Sequence, residues 1–345
     1  MASVRTDAEP QPPGSPGQAG PILAVRDLSV AYAMDRGAVL AVDRVSFELY
    51  PGEFLGIVGE SGCGKSTLLF AIAQLLAAPA AIIGGSVTFK GENMVGLADD
   101  QLATIRWRNL SVVMQSAMNA LNPVKSVGAQ LKDAMKAHGV TSADEIATRS
   151  ADVLRMVGID PVHLKSYPHQ LSGGMRQRSM IAMALLFAPD LVIMDEPTSA
   201  LDVVAQRSLM VHIKKLQAEL GFAVVFVTHD MSLVSHFSER LMVMYAGQVA
   251  EWGTTRDLFD TPRHPYSIGL MEAFPSIKGE RVPLTGIPGR PPDLSQRQHG
   301  CWFAPRCPQV MPACREINPD LYPVQDELVR CLLYAAGADG KAGGD

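Results

Sequence analysis

The sequence predicts an α/β fold on a parallel sheet, and three runs of residues carry that prediction. Residues 54–58, 191–194 and 223–227 are short, continuous apolar stretches, the pattern of strands buried on both faces. Helix-like segments separate them, such as 208–219 with apolar Leu209, Val211, Ile213 and Leu216. Buried strands alternating with helices call for a parallel sheet with helices packed against it.

In chain order, residues 1–20 read as a disordered tail, because Pro, Gly and Gln bury too little surface to offset ordering entropy. Residues 22–32 and 42–49 alternate apolar and polar, as half-buried strands do. One large domain is expected over 21–260, with a helical subdomain inserted at about 97–167, where segments such as 144–157 replace buried strands. From about Thr261 the texture turns to Pro-rich turns and clustered cysteines, so 261–335 reads as a small separate region. The Gly/Ala-rich end, 336–345, reads as a second disordered tail.

Composition excludes some classes. Net charge is −5 with both signs interspersed, which argues against nucleic acid as a partner. The most apolar stretch, 68–83, is interrupted by Gln74 and Pro79 and falls short of the ~18 residues a membrane span needs. The first twenty residues lack an apolar secretory core, so a reducing compartment is expected. There, Cys301, Cys307, Cys314 and Cys331 suit metal ligation better than disulfide pairing, while Cys63 stands alone.

The chemistry lies in a few short motifs. Gly59-Glu60-Ser61-Gly62-Cys63-Gly64-Lys65-Ser66 matches G-x-x-x-x-G-K-[ST], between a buried strand and a helix beginning at Thr67. The glycines let backbone N–H groups turn inward around a polyphosphate, and the helix start adds a positive dipole end. Lys65 would meet the β- and γ-phosphates and the Ser66 hydroxyl would ligate Mg²⁺; Cys63 contributes only backbone. At the end of the run 191–194 come Asp195, placed to hold Mg²⁺, and Glu196, placed to polarise an attacking water. An ordinary acidic pair at a strand end is the plainer alternative for those two taken alone. A second anion cradle, Leu171-Ser172-Gly173-Gly174-Met175, precedes another helix. One nucleotide needs one cradle, so a second makes sense if it faces another subunit's nucleotide; a plain helix cap at Ser172 is the alternative.

These motifs together resemble the ABC ATPase family of P-loop NTPases, whose signature is LSGGQ; Met175 departs from its last position. The resemblance covers about 22–261 and implies further roles. It makes Gln115 the glutamine that senses Mg²⁺ and the membrane partner, Asp202 part of a loop crossing to the opposite subunit, His229 a switch histidine at the γ-phosphate, and Tyr32 an aromatic stacked on adenine. It implies an ATPase that binds ATP and Mg²⁺ and closes head-to-tail on a second ABC ATPase, expected to be a paralogue. Two transmembrane permeases and an extracytoplasmic substrate-binding protein would complete the assembly, on the cytoplasmic face of the plasma membrane. A non-transport ABC ATPase of translation or DNA repair is the alternative from a different class.

The appendage narrows the resemblance. Thr261-Pro262-Arg263-His264-Pro265-Tyr266 and Ile287-Pro288-Gly289-Arg290-Pro291-Pro292-Asp293-Leu294 look like segments of the dipeptide/oligopeptide/nickel importer group. The spacing Cys301-x5-Cys307-x6-Cys314-x16-Cys331 resembles that group's 4Fe–4S motif, with zinc or unligated thiols as alternatives. Oligopeptides or dipeptides are the expected cargo. After Gln115, residues 116–123 depart from the usual peptide-transporter pattern, which keeps oligosaccharides and nickel open. The cysteine segment is expected to stand apart from the phosphate site, so that losing Cys307 would leave nucleotide binding at Lys65 intact.

Overall fold

A computed structural model describes residues 20–34, 37–115, 120–199, 201–273, 286–296 and 298–335. Apart from Gly20, both expected tails lie outside these residues, as do 116–119 of the segment after Gln115. The described residues fall into two compact units: those within 1–48, 55–95 and 229–345 form the first, and those within 49–54 and 96–228 the second.

The first unit holds a small antiparallel sheet of β1 (Leu23–Met34), β2 (Gly37–Leu49), β4 (Ala80–Phe89) and β5 (Glu92–Asn93), in the order β2-β1-β4-β5. Alternation explains it: Val45, Phe47 and Leu49 of β2 are fully buried, while Arg44, Ser46 and Glu48 between and before them are at least partly exposed. The strand β3 (Phe54–Val58) pairs in parallel with β9 (Arg240–Tyr245), placing Val58 beside Val243. All five β3 residues are buried, as the continuous apolar run requires. From β9 the chain turns through Ala246 and Gly247 into β10 (Gln248–Thr254), which pairs antiparallel with it.

Beyond β10 the C-terminal segment joins the same sheet. β12 (Glu327–Val329) pairs with β10, and β11 (Tyr322–Val324) with β12. Aromatic packing reinforces this layer: Arg240 lies over the Trp252 ring at 4.6 Å, and Trp252 packs on Phe47 at 5.9 Å.

The second unit carries β6 (Leu110–Val113), β7 (Leu191–Asp195) and β8 (Ala223–Val227) in parallel register, Val113 beside Met194 and Asp195 beside Val227. Helices Val127–Ala137 and Ala143–Met156 begin at Ser126 and Ser142, whose hydroxyls accept the N–H groups of Ala129 and Glu145. Their buried faces, including Leu131, Met135, Val153 and Leu154, pack on each other. Helix Gly173–Leu185 is pinned from its own unit, Trp107 Nε1 donating to Met183 O at 2.6 Å. No helix among the described residues is long and apolar enough to cross a membrane.

Candidate nucleotide site

The phosphate loop sits between β3 and helix Lys65–Ile72. Gly59 has φ +150°, and a Cβ there would lie 2.2 Å from the Met244 carbonyl oxygen. Gly64 has φ +102°, and its Cβ would lie 2.2 Å from the Ala41 carbonyl oxygen. Both positions therefore demand glycine on conformation and on space. Gly64 is also the helix N-cap, and no side chain there takes up the first N–H groups.

Lys65 is buried and folded back on the loop. Its Nζ donates to Gly59 O at 2.7 Å and to Glu60 O at 2.9 Å, with Cys63 Sγ at 3.7 Å. Burial pushes the Cys63 thiol above its usual range, and the adjacent Lys65 charge opposes that shift. Gly247 N donates to Cys63 O at 3.0 Å, so the β9–β10 turn braces the loop from below. Ser61 and Gly62 form the exposed tip, and Ser66 and Thr67 follow, half-buried, in the helix. Tyr32 leaves β1 with its hydroxyl 3.0 Å from Thr67 Oγ1, so its ring lies beside the phosphate helix. His229, exposed, follows β8 by two residues, and Asp230 next to it caps helix Met231–Phe237 by accepting from Ser232 N at 2.8 Å.

The second unit gathers the other candidates. Asp195 ends β7 and is almost completely buried. Glu196 follows with φ +44°, its N–H donating to Val227 O at 2.9 Å. Gln115 Nε2 donates to Glu196 Oε2 at 2.8 Å, joining two residues 81 positions apart. Ser172 is exposed and caps helix Gly173–Leu185 by accepting the Met175 N–H at 3.2 Å; Gly173 and Gly174 form its first turn. Asp202 caps helix Val203–Leu220, accepting from Ala205 N at 2.9 Å. Gln177, which no sequence motif flagged, donates from its buried amide to Pro197 O just after Glu196. Its place on the buried side of helix Gly173–Leu185 is what the structure adds.

The cysteines are all free thiols. Among the described residues, no group of three or more His, Cys, Asp or Glu side chains is arranged to hold a metal ion. The cage expected from Cys301, Cys307, Cys314 and Cys331 is therefore not formed. Their donor chemistry nonetheless suits a soft metal: backbone N–H groups of Phe303 and Ala304 point at Cys301, that of Gln309 at Cys307 and that of Leu333 at Cys331. Burial, with a smaller contribution from its three companion cysteines, pushes the Cys331 thiol up to about 11.

The expected independence of the cysteine segment and the phosphate site does not hold. Arg306, next to Cys307, forms a two-pronged ion pair with Glu60 of the phosphate loop, at 2.6 and 2.8 Å. The Glu60 N–H donates to the Tyr266 hydroxyl at 2.8 Å. Neither partner was legible as such: Arg306 lies between a proline and a cysteine, and Tyr266 in a Pro-rich stretch of sequence.

A buried parallel strand, a glycine loop closed on a lysine and an uncapped helix start define a phosphate-loop nucleotide hydrolase. Comparison with known proteins narrows this. A family model described as "ABC transporter" matches residues 42–199, and one described as "Oligopeptide/dipeptide transporter, C-terminal region" matches 250–314. A third, described as "AAA domain, putative AbiEii toxin, Type IV TA system", overlaps at 164–235. The oligopeptide transport ATP-binding protein OppD of Salmonella typhimurium is 44% identical over 88% of this chain and 91% of its own. The dipeptide transport ATP-binding protein DppD of Bacillus subtilis is 43% identical over 86% and 90%. Among solved structures, the dimeric ABC transporter cassette MJ0796 bound to ADP and Pi superposes with a TM-score of 0.61 and 31% identity, covering 68% of this chain and 99% of its own. The chain belongs to the ABC transporter ATP-binding family, and its activity is ATP hydrolysis by a transporter cassette.

Proposed function

We propose that this chain powers an importer of oligopeptides or dipeptides. The observation that carries the cargo class is the match of residues 250–314 to the C-terminal region of oligopeptide/dipeptide transporters, a segment that ATP hydrolysis itself does not demand. Relatives named for peptide transport, at 43–44% identity across most of the chain, support it. In this reading the chain docks on membrane permeases fed by an extracytoplasmic binding protein, and closes on a second ATPase, a paralogue.

The residues divide the work as follows. Lys65 exchanges the Gly59 and Glu60 carbonyls for β- and γ-phosphate oxygens, joined by the open N–H groups at the start of its helix. Ser66, Gln115 and Asp195 offer hydroxyl, amide and carboxylate oxygens, a hard donor set suited to Mg²⁺. That ion, when bound, neutralises charge on the phosphate oxygens. Glu196, oriented by Gln115, accepts a proton from the attacking water, and His229 holds the γ-phosphate. Tyr32 takes the adenine ring. Ser172, Gly173, Gly174 and Asp202 serve the nucleotide of the opposite subunit.

For the four cysteines the favoured occupant is a 4Fe–4S cluster, with zinc as the alternative. Iron, sulfide and zinc analysis of protein purified without oxygen separates the two; absence of any metal overturns both.

The deciding experiment reconstitutes the chain with its permeases and binding protein in liposomes and measures uptake and ATPase together. Oligopeptides or dipeptides should stimulate both. Stimulation only by an oligosaccharide or by nickel would reject the peptide cargo and leave the ATPase assignment standing.

A further inference from the structure

Glu60 occupies a variable position of the phosphate loop, yet each of its polar groups is engaged. Its carbonyl accepts from Lys65 Nζ at 2.9 Å, its N–H donates to Tyr266 at 2.8 Å, and its carboxylate takes both prongs of Arg306. The last two partners lie 206 and 246 positions away in sequence. Arg306 is itself fixed: its side chain is 6% exposed, Nε donates to Pro288 O at 2.7 Å and Nη1 to Tyr245 Oη at 3.3 Å. Tyr245, Tyr266 and Phe303 pack ring on ring behind it, with centroids 4.6 to 5.5 Å apart. The arrangement is a rigid socket built by the C-terminal region for one residue of the phosphate loop.

An acidic side chain in a loop that receives a polyphosphate presents a problem of charge. Left uncompensated, its carboxylate would repel the ligand across a distance too short for salt to screen fully. A bidentate guanidinium cancels that charge and holds one geometry, which a lysine cannot do as well.

We propose that Arg306 and Tyr266 are positioning residues for the ATPase reaction: Arg306 neutralises Glu60 so that the loop can accept a polyphosphate, and Tyr266 fixes the loop backbone at the same residue. This rests on the phosphate loop being the ATP site. Neither residue needs to touch ATP. The C-terminal region thereby sets nucleotide affinity, and anything that rearranges the segment around Cys307 reaches the loop through its neighbour Arg306.

The test measures binding of Mg·ATP and Mg·ADP to the full chain by calorimetry at two salt concentrations. Arg306→Met should weaken ATP about tenfold at low salt, weaken ADP less because it carries less charge, and lose part of the effect at high salt. In the Glu60→Gln background the same substitution should change ATP affinity by less than about threefold, because no acid remains to neutralise. Arg306→Lys should fall between wild type and Arg306→Met. Tyr266→Phe should weaken ATP and ADP alike by about threefold, with little salt dependence. Equal losses of ATP and ADP in Arg306→Met, or the same loss with and without Glu60, would reduce Arg306 to a structural brace and overturn its part. An unchanged Tyr266→Phe would overturn the other. If Arg306→Met does not fold, Arg306→Lys with and without Glu60→Gln distinguishes charge neutralisation from bracing in the same way. Failure of the wild-type chain to bind ATP would instead strike the nucleotide assignment itself.

Discussion

Two helix starts in this molecule look alike in sequence and are built differently. The helix at Lys65 begins on Gly64, with no side chain taking its first N–H groups, and its loop is gripped by Met244, Gly247, Tyr266 and Arg306 from far along the chain. The helix at Gly173 begins on Ser172, which satisfies the Met175 N–H by itself, and a Cβ at Gly174 would meet no atom within 4 Å. The first start is a site held ready by its own unit. The second is a self-capped helix end whose Gly174 answers to nothing nearby. In the proposed function, this open start serves the nucleotide of the opposite subunit.

The largest effects should separate stability from turnover at the second start. Gly174→Ala meets no atom within 4 Å and replaces a poor helix former, so the isolated chain should keep its stability or gain about 0.5 kcal/mol. In the assembled importer, ATPase turnover should fall by roughly 10²-fold or more, as expected when a group serving the transition state is blocked. A variant that is stable and fully active would break the comparison. Glu196→Gln belongs beside it: binding of ATP retained, turnover lower by about 10²–10⁴-fold, read by single-turnover hydrolysis.

At the first start the same change should behave oppositely. Gly64→Ala forces a Cβ to 2.2 Å from Ala41 O at φ +102°, so the loop must distort. The expected cost is on the order of 2–3 kcal/mol, seen both in thermal unfolding and in a loss of ATP affinity. A smaller effect than that of Gly174→Ala on stability would invert the reading.

The socket behind the loop offers a pH test of comparable size. His264 is buried, its Nδ1 accepts the Tyr266 N–H at 2.9 Å, and burial lowers its pKa to about 4 from 6.5. A lowered histidine contributes stability that is present above pH 6.5 and lost as pH falls towards 4, in total about 3 kcal/mol. Asparagine can cap the helix in its place without titrating. The stability difference between wild type and His264→Asn should therefore shrink by about that amount between pH 7 and pH 4. Buried Glu251, pushed up to about 7, acts in the opposite direction, losing its contribution as pH rises from 4.5 through 7, and largely cancels in the difference. Denaturant unfolding of both proteins at several pH values is the check.

The smallest expected effect sharpens the link between regions. Cys307→Ser touches no phosphate, yet its neighbour Arg306 holds Glu60. ATP affinity should fall two- to threefold (about 0.5 kcal/mol), against the independence the sequence suggests. Unchanged affinity would confine the coupling to Arg306 itself.

Much of the site was legible because its determinants are contiguous. A buried strand must be apolar on both faces, a left-handed loop needs glycine, and a lysine and a hydroxyl must follow at fixed offsets; residues 54–67 show all of this as one contiguous pattern. Asp195 and Glu196 could be read for the same reason, from the end of an apolar run. The Gln115–Glu196 bond could not, because it depends on β6 and β7 lying side by side in register.

Local chemistry is written in the residue order: which backbone turns, which strands are buried, which short motifs carry charge or hydroxyls where a nucleotide needs them. Which distant side chains complete those motifs emerges from the folded arrangement alone. Glu60 is one acid among many in the chain, and Arg306 one arginine between a proline and a cysteine. Their pairing follows from β10 receiving β12 at its edge while β3 runs beside β9, which brings the C-terminal segment to the loop after β3. Contiguous motifs are set by conformational preference within a few residues; a pair 246 positions apart is set by sheet order, and no local pattern encodes that.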